Sequence, residues 1–337
     1  MATPKLEVFQ IELRRTTHRE SGSFYELFLN KCAPKDENGE IIPQTNQFLF
    51  KIFTEEFLRK MVDFVQDQRE KKAFTVYDAS LEDQLNSTIH FHSQQFIIEG
   101  TIEGGPYGKN KNVSDLSDKN QKSPVGMTNV ILDKFYFFLY IPMDSSIGIL
   151  MLHSYTDDSI TTSFKNFLSK TFQFPKRYYK AIIQSYCPDV IKEEFRRGSV
   201  VKKFSFTKKT VITNILRNVP VQDHDVSFKI KIELTSDRDI SRERINEYIP
   251  LLKTLGFGDE ENLEQLETYD GKVYLSKNNK ETPFVIDGDF DISPCIYLEG
   301  RIGLETDGTP FWSELKNYCF ELLPAIKQEI YPQYAVR

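Results

Sequence analysis

Residues Val130 to Phe172 limit what this chain can fold into more than any other stretch. Two apolar runs, Phe135 to Ile141 and Ile147 to Leu152, flank the turn-forming Pro142-Met143-Asp144-Ser145-Ser146. Short apolar runs bounded by turn residues mark strands buried on both faces, and two in succession predict a hairpin over 130–154 at the middle of a sheet. The period then changes. Ile160, Phe164, Phe167, Leu168 and Phe172 share one helical face behind Asp158 or Ser159 as N-cap, so a helix is expected to cover the hairpin.

Further elements are expected on either side. Leu6 to Leu13 alternates as a strand, Phe24 to Leu29 and Gln47 to Phe53 read as two more, and Thr54 is placed to cap a helix carrying Phe57, Met61, Phe64 and Val65. Thr88 to Thr101 is expected as a strand, with a polar loop running on to Lys122. After the covering helix come a strand over Tyr178 to Tyr186, a helix Asp189 to Arg197 stopped by Gly198, and a strand Ser199 to Phe206. His224 to Leu234 alternates so cleanly that one face must be wet, which implies an antiparallel or edge position. Ile240 to Leu255 reads as a helix and Cys295 to Leu304 as a strand. A last helix, capped by Thr309 with Pro310 at its first position, places Phe311, Leu315, Tyr318, Leu322 and Ile326 on one stripe, with a kink at Pro324.

The fold class that follows is α+β, with mainly antiparallel sheets and flanking helices in two sub-domains. Polarity rises between 206 and 224, so the sub-domains are expected at 1–206 and 207–337. The excess of 27 Phe and 16 Tyr over one Trp suits sheets better than a helical bundle. Cys32, Cys187, Cys295 and Cys319 are widely spaced with no Cys-x-x-Cys pair, so reduced structural thiols are expected. No apolar stretch approaches a membrane span and the first residues hold no signal core, so the expectation is a soluble cytosolic protein with no membrane partner.

Several chemistries are excluded by missing patterns. No Gly-x-Ser-x-Gly elbow, Rossmann glycine pattern or kinase motif set is present. The Gly108-Lys109 loop has Glu103 where a phosphate loop needs Gly, and Asn110 where it needs Ser or Thr. A net charge of -6 gives no global attraction to polyanions, but the charge is unevenly spread.

Arg196, Arg197, Lys202, Lys203, Lys208, Lys209 and Arg217 fall in one segment without an acidic residue, and Phe204 and Phe206 lie inside it. Basic residues interleaved with aromatics suit a phosphate backbone and stacked bases, although the phenylalanines could equally point inward and leave the lysines as a solvated face. Asp259, Glu260, Glu261, Glu264, Glu267 and Asp270 form an opposite, acidic block that could dock on the basic one within the molecule or in a second copy.

Asp287, Asp289 and Asp291 alternate, and with Asp270 and Lys272 they offer a candidate magnesium or manganese site for phosphodiester hydrolysis. Glu314-Leu315-Lys316 is a second acid-x-Lys pair. His90 and His92 project from one side of a strand and, with His153, could bind a metal or exchange protons, although structural histidines are the plainer reading.

The order of elements from Val130 to Arg217, with Ile147-Gly148-Ile149-Leu150 in the hairpin and Val200-Val201-Lys202-Lys203-Phe204 in the basic strand, resembles uncharacterised cytosolic proteins of bacterial phage-defence loci. The resemblance implies a defence-related role and assigns no active residue. The expected function is a cofactor-free binding component engaging nucleic acid or a protein subunit through the basic strand. A metal-dependent nuclease and a structural subunit of an oligomer are the alternatives.

Overall fold

The computed structural model describes residues 3–15, 22–76, 88–118, 120–174, 179–196, 199–211, 227–241, 270–277, 280–285 and 295–331, with short stretches at 244, 247–248, 251–252, 256–257 and 264–265. They form an α+β fold in which every paired strand named below is antiparallel. The chain packs as two units, 1–186 with 294–337, and 187–293. The break expected at 206 therefore falls elsewhere, because the C-terminal segment pairs with the first strand.

In chain order the first unit holds β1 (Pro4–Arg15), α1 (Phe24–Cys32), α2 (Asn46–Arg59), β2 (Val65–Asp67), β3 (Lys72–Val76), β4 (Ile89–His92) and β5 (Ile97–Pro106). The exposed hairpin β6 (Lys111–Ser114) and β7 (Lys122–Val125) follows, then β8 (Asp133–Tyr140), β9 (Ile147–Tyr155), α3 (Thr161–Thr171) and β10 (Tyr179–Ser185). The second unit contributes α4 (Asp189–Arg196), β11 (Val200–Val211), β12 (Ser227–Ser241), the short pair β13 (Gly256–Phe257) and β14 (Glu264–Gln265), β15 (Asp270–Lys277) and β16 (Lys280–Val285). β17 (Cys295–Tyr297) and α5 (Trp312–Ile330) return to the first unit.

The first sheet runs β10-β1-β9-β8-β5-β3-β2, so the β8–β9 hairpin sits at its centre as expected. β17 shares an edge of β1 with β10, pairing Lys5 to Glu7 while β10 takes Phe9 to Arg15. Alternation along each strand sends one set of side chains to each face. Phe9, Ile11, Leu13, Phe135, Phe137, Leu139, Leu150 and Leu152 enter a core closed by α1, α2 and α3. Within it Phe28 stacks on Phe53 at 4.2 Å, Phe24 meets Phe172 edge-on at 5.4 Å, and Phe164 of α3 packs on Phe137 at 5.3 Å. The opposite face is covered by α5, which buries Leu315, Cys319, Leu322, Leu323 and Ile326. Phe320 of α5 meets Phe138 edge-on at 5.0 Å.

Several local expectations change. Phe24 to Leu29 is helix: Phe24, Leu27 and Phe28 give the buried i, i+3, i+4 face, and Ser23 with Glu26 completes a capping box. Gln47 to Phe53 is helix too, with Thr45 as N-cap, and Thr54 lies inside it, its hydroxyl donating to the Lys51 carbonyl. Met61, Phe64 and Val65 follow its end. Thr88 to Thr101 folds back as β4 and β5 around a turn with Phe96 at φ +57. Ile160 takes the N-cap position of α3 without a side-chain cap bond. β12 runs on through Ser241, past the start of the helix expected from Ile240, and 247–248 and 251–252 within that expected helix are helical. The strand begun at Cys295 stops at Tyr297, and α5 starts at Trp312 behind Phe311 and continues through Pro324.

The second unit is built on a sheet ordered β12-β11-β15-β16. β12 pairs antiparallel with β11 and stands first in this order, in keeping with the antiparallel or edge position that its alternation implied. No helix among the described residues is long and apolar enough to cross a membrane. Cys32, Cys187 and Cys319 are free thiols.

Candidate nucleic-acid interface

Register fixes which side chains of the second sheet share a face, because residues directly opposite in antiparallel strands point the same way. Lys203, Ser205 and Thr207 of β11 stand opposite Thr235, Glu233 and Lys231 of β12. On the other side Lys203 and Ser205 stand opposite Tyr274 and Lys272 of β15. Lys231, Glu233, Thr235 and Lys272 are exposed, and Lys203 and Tyr274 are half-buried. The wet face of this sheet therefore carries Lys203, Lys231, Lys272 and Tyr274 with Glu233 among them, and the exposed Asp237 follows two residues after Thr235 in β12.

The Glu233 carboxylate organises two of the lysines. Lys231 Nζ lies 2.7 Å from Glu233 Oε1, and Lys203 Nζ lies 3.5 Å from the same oxygen. The hydrogen bond from Lys231 holds Glu233 below the usual carboxylate range and raises Lys231 in return. The Lys203 ammonium also sits 4.6 Å from the centre of the Tyr274 ring, a cation–π contact.

Sequence-expected residues divide between the two faces. Phe204 and Phe206 are 4% and 1% exposed, so neither can present a ring for stacking. They lie on the dry side with Val273. Lys208 follows them by alternation and is separated from Lys203 by the sheet. Lys202 sits at the irregularity between Val201 and Lys203, half-buried. The backbones of Arg196 and Lys209 are in α4 and β11, whereas Arg197 and Arg217 lie outside the described residues. Lys231 and Tyr274 were missed from sequence, and their signal was alternation: each is the wet partner in a strand whose neighbours are apolar.

The nuclease alternative is only partly placed. Lys272 is on the wet face and the Asp270 backbone opens β15, while Asp287, Asp289 and Asp291 lie outside the described residues. So do Asp259, Glu260, Glu261 and Glu267 of the acidic block. Among the described residues no group of three or more His, Cys, Asp or Glu side chains could hold a metal ion.

The histidines separate. His90 is exposed, His92 Nε2 is 3.3 Å from Glu99 Oε1, and the buried His153 packs edge-on to Trp312. Glu99 is the polar centre that sequence reading passed over: it is 1% exposed, accepts from the Tyr136 hydroxyl at 2.9 Å and meets Lys316 Nζ at 2.6 Å. Burial raises the Tyr136 phenol and the Cys319 thiol beside it. Lys316 is thus the partner of Glu99, while Glu314 accepts from the Gly303 N–H. The Gly108-Lys109 loop leads into β6 instead of a helix N-terminus, so it has none of the amide cradle of a phosphate loop.

No family model matches the chain, and no match is found among curated proteins either.

Proposed function

We propose that this chain is a binding component, acting in the cytosol, that holds single-stranded nucleic acid on the wet face of β11, β12 and β15. The observation that supports it most is the grouping of Lys203, Lys231 and Lys272 around the half-buried Tyr274. Lysines track the phosphates, and an aromatic ring on an open sheet gives a base a surface to stack on. Duplex hides its base faces, so it gains only the phosphate contacts.

Stacking on Tyr274 requires Lys203 to leave the ring. An exposed cation–π contact is worth about 0.5–1 kcal/mol, and a stacked base about 1–3 kcal/mol. The exchange therefore favours the base, and the displaced ammonium gains a phosphate. A defence-related role, implied by the resemblance of 130–217 to phage-defence proteins, is part of this proposal and adds no residue to the site.

Fluorescence anisotropy with labelled single-stranded DNA and RNA, titrated in salt, tests this. Tyr274→Ala is expected to weaken binding by roughly 5- to 150-fold, from the loss of about 1–3 kcal/mol of stacking. Lys203→Glu with Lys272→Glu is expected to flatten the log–log salt dependence by roughly 1.4, about 0.7 for each phosphate no longer neutralised. Absence of binding at low salt, or a slope unmoved by the double substitution, rejects the proposal.

A further inference from the structure

A cleft of about 340 Å³ opens in the first unit where the β2–β3 turn meets the end of β5 and the start of β6. Pro106, Tyr107, Val125 and Ile131 give it apolar walls. Lys71, Lys109 and Lys111 line the same space, with Glu70 as the one carboxylate among the described lining residues. Three ammoniums against one carboxylate leave two positive charges in excess. None of these lysines forms an ion pair among the described residues, in contrast to the neighbouring Lys72, which holds Asp158 at 3.2 Å.

Backbone geometry brings the lysines to one place. Lys71 closes the β2–β3 turn at φ +54, a left-handed conformation that glycine adopts without strain, and a lysine stands there instead. Its stem crosses Gly108, with Cδ 3.5 Å from the point a Cβ would occupy, and its ammonium lies 5.9 Å from the centre of the Tyr107 ring. The Lys71 carbonyl accepts from the Tyr107 N–H at 3.0 Å, and the Gly108 N–H donates to the Met127 carbonyl at 2.9 Å. A Cβ at Gly105 would collide with the Ile131 carbonyl, so glycine there lets the wall carrying Ile131 close in. Turn, strand end and hairpin base are thus tied together around the cleft.

We propose that this cleft binds a nucleoside monophosphate, its base against Tyr107 and its phosphate among Lys71, Lys109 and Lys111. Charge selects the head group: a phosphate monoester carries about −1.5 to −2 near neutral pH, which the two excess positive charges match. The ring selects the body, since a base stacks on a tyrosine face. At 5.9 Å Lys71 stands at the outer limit of a cation–π contact, so its ammonium can turn to the phosphate at little cost. Glu70, an acceptor when ionised, suits ribose hydroxyls or an exocyclic amine. Small-molecule sites run to about 300–1,000 Å³, and a cleft at the lower end of that range takes one nucleotide. Lysine side chains here replace the amide cradle that the Gly108-Lys109 loop lacks. The whole site belongs to the first unit and is separate from the lysine face of the second.

Isothermal titration calorimetry on the full chain tests the proposal, with the four ribonucleoside monophosphates, their nucleosides and inorganic phosphate as probes. At least one monophosphate is expected to bind the wild type about tenfold or more tighter than its nucleoside and than inorganic phosphate. Lys109→Gln with Lys111→Gln, both exposed in the wild type, is expected to weaken it by about tenfold or more, and Tyr107→Leu to reduce it to the affinity of inorganic phosphate. Lys203→Glu with Lys272→Glu is expected to leave it unchanged, which separates this site from the nucleic-acid face. Thermal unfolding establishes that each variant is folded, and if Tyr107→Leu is not, the Lys109 and Lys111 pair alone decides. Failure of all four monophosphates to bind, equal binding of the nucleoside or of inorganic phosphate, an affinity unmoved by the Lys109 and Lys111 pair, or one lost with the Lys203 and Lys272 pair overturns it.

Discussion

Replacing Glu99 with alanine is expected to destabilise the first unit by about 3 kcal/mol, the scale of breaking one partner of a buried ion pair. Against a typical total of about 5–15 kcal/mol, that is a large fraction. The carboxylate is almost wholly buried between β5 and α5, where it receives the Tyr136 hydroxyl and the Lys316 ammonium and lies beside His92. Alanine would leave the hydroxyl of the buried Tyr136 without that acceptor, and would open a void where Glu99 meets Lys316 of α5. Lys316 is a third exposed and can be rehydrated, which holds the loss at the lower end for such pairs. Glu99→Gln keeps the shape and one acceptor oxygen, so about 1 kcal/mol is expected from it. Urea unfolding of the three proteins measures the series. A midpoint for Glu99→Ala equal to that of the wild type would show that the carboxylate holds nothing together.

Acidification is expected to weaken the fold through His153, at about 1.4 kcal/mol per pH unit. The ring is fully buried among Tyr155 at 4.7 Å, Trp312 at 5.5 Å and Phe135 at 6.3 Å, and neither nitrogen has a hydrogen-bond partner among the described residues. Burial lowers its pKa to about 3, whereas an unfolded histidine titrates near about 6.5. The unfolded chain therefore binds the proton first, so stability is untouched above about 6.5 and falls steadily as pH drops towards 3. Between pH 6.5 and 5 the loss comes to about 2 kcal/mol. His153→Phe fits the same aromatic nest and removes the titration. Glu56 and Asp67, both held below the ordinary carboxylate range, contribute only at more acid pH. The difference between wild type and variant in urea midpoint at pH 6.5 and 5 isolates the histidine, and parallel losses in the two proteins would exclude it.

The central hairpin, its covering helix and the alternation of β12 were legible because each is a local pattern with a single period. The first two helices were not. Phe24-Tyr25-Glu26-Leu27-Phe28-Leu29 and Phe48-Leu49-Phe50-Lys51-Ile52-Phe53 are so dense in apolar residues that periods of 2 and 3.6 fit equally, and the deciding signal was polar, Ser23 with Glu26 and Thr45 ahead of the second run. The candidate interface was half legible. Its lysines stood out as a charge run, but the direction of Phe204 and Phe206 depended on which face the sheet buries, and Tyr274 joins Lys203 only through a pairing about seventy residues away in the chain. Glu99 had a visible sign, a lone carboxylate after Ile97-Ile98, but its partner Lys316 is more than two hundred residues distant.

The pairing of β17 with β1 sets a timetable for synthesis. Leu6, Val8, Met151 and His153 lie on the side of the first sheet that α5 closes, and α5 leaves the ribosome only after the whole of 187–293 has been made. At about 5–20 residues per second, the interval between the end of β10 and the end of α5 is on the order of ten seconds. During that time a broad apolar sheet face stands open on the nascent chain. The second unit can fold in the interval, so the last helix arrives at a sheet already assembled and acts as its seal. Nascent chains halted before residue 312 should accordingly be the species that ribosome-bound chaperones hold longest.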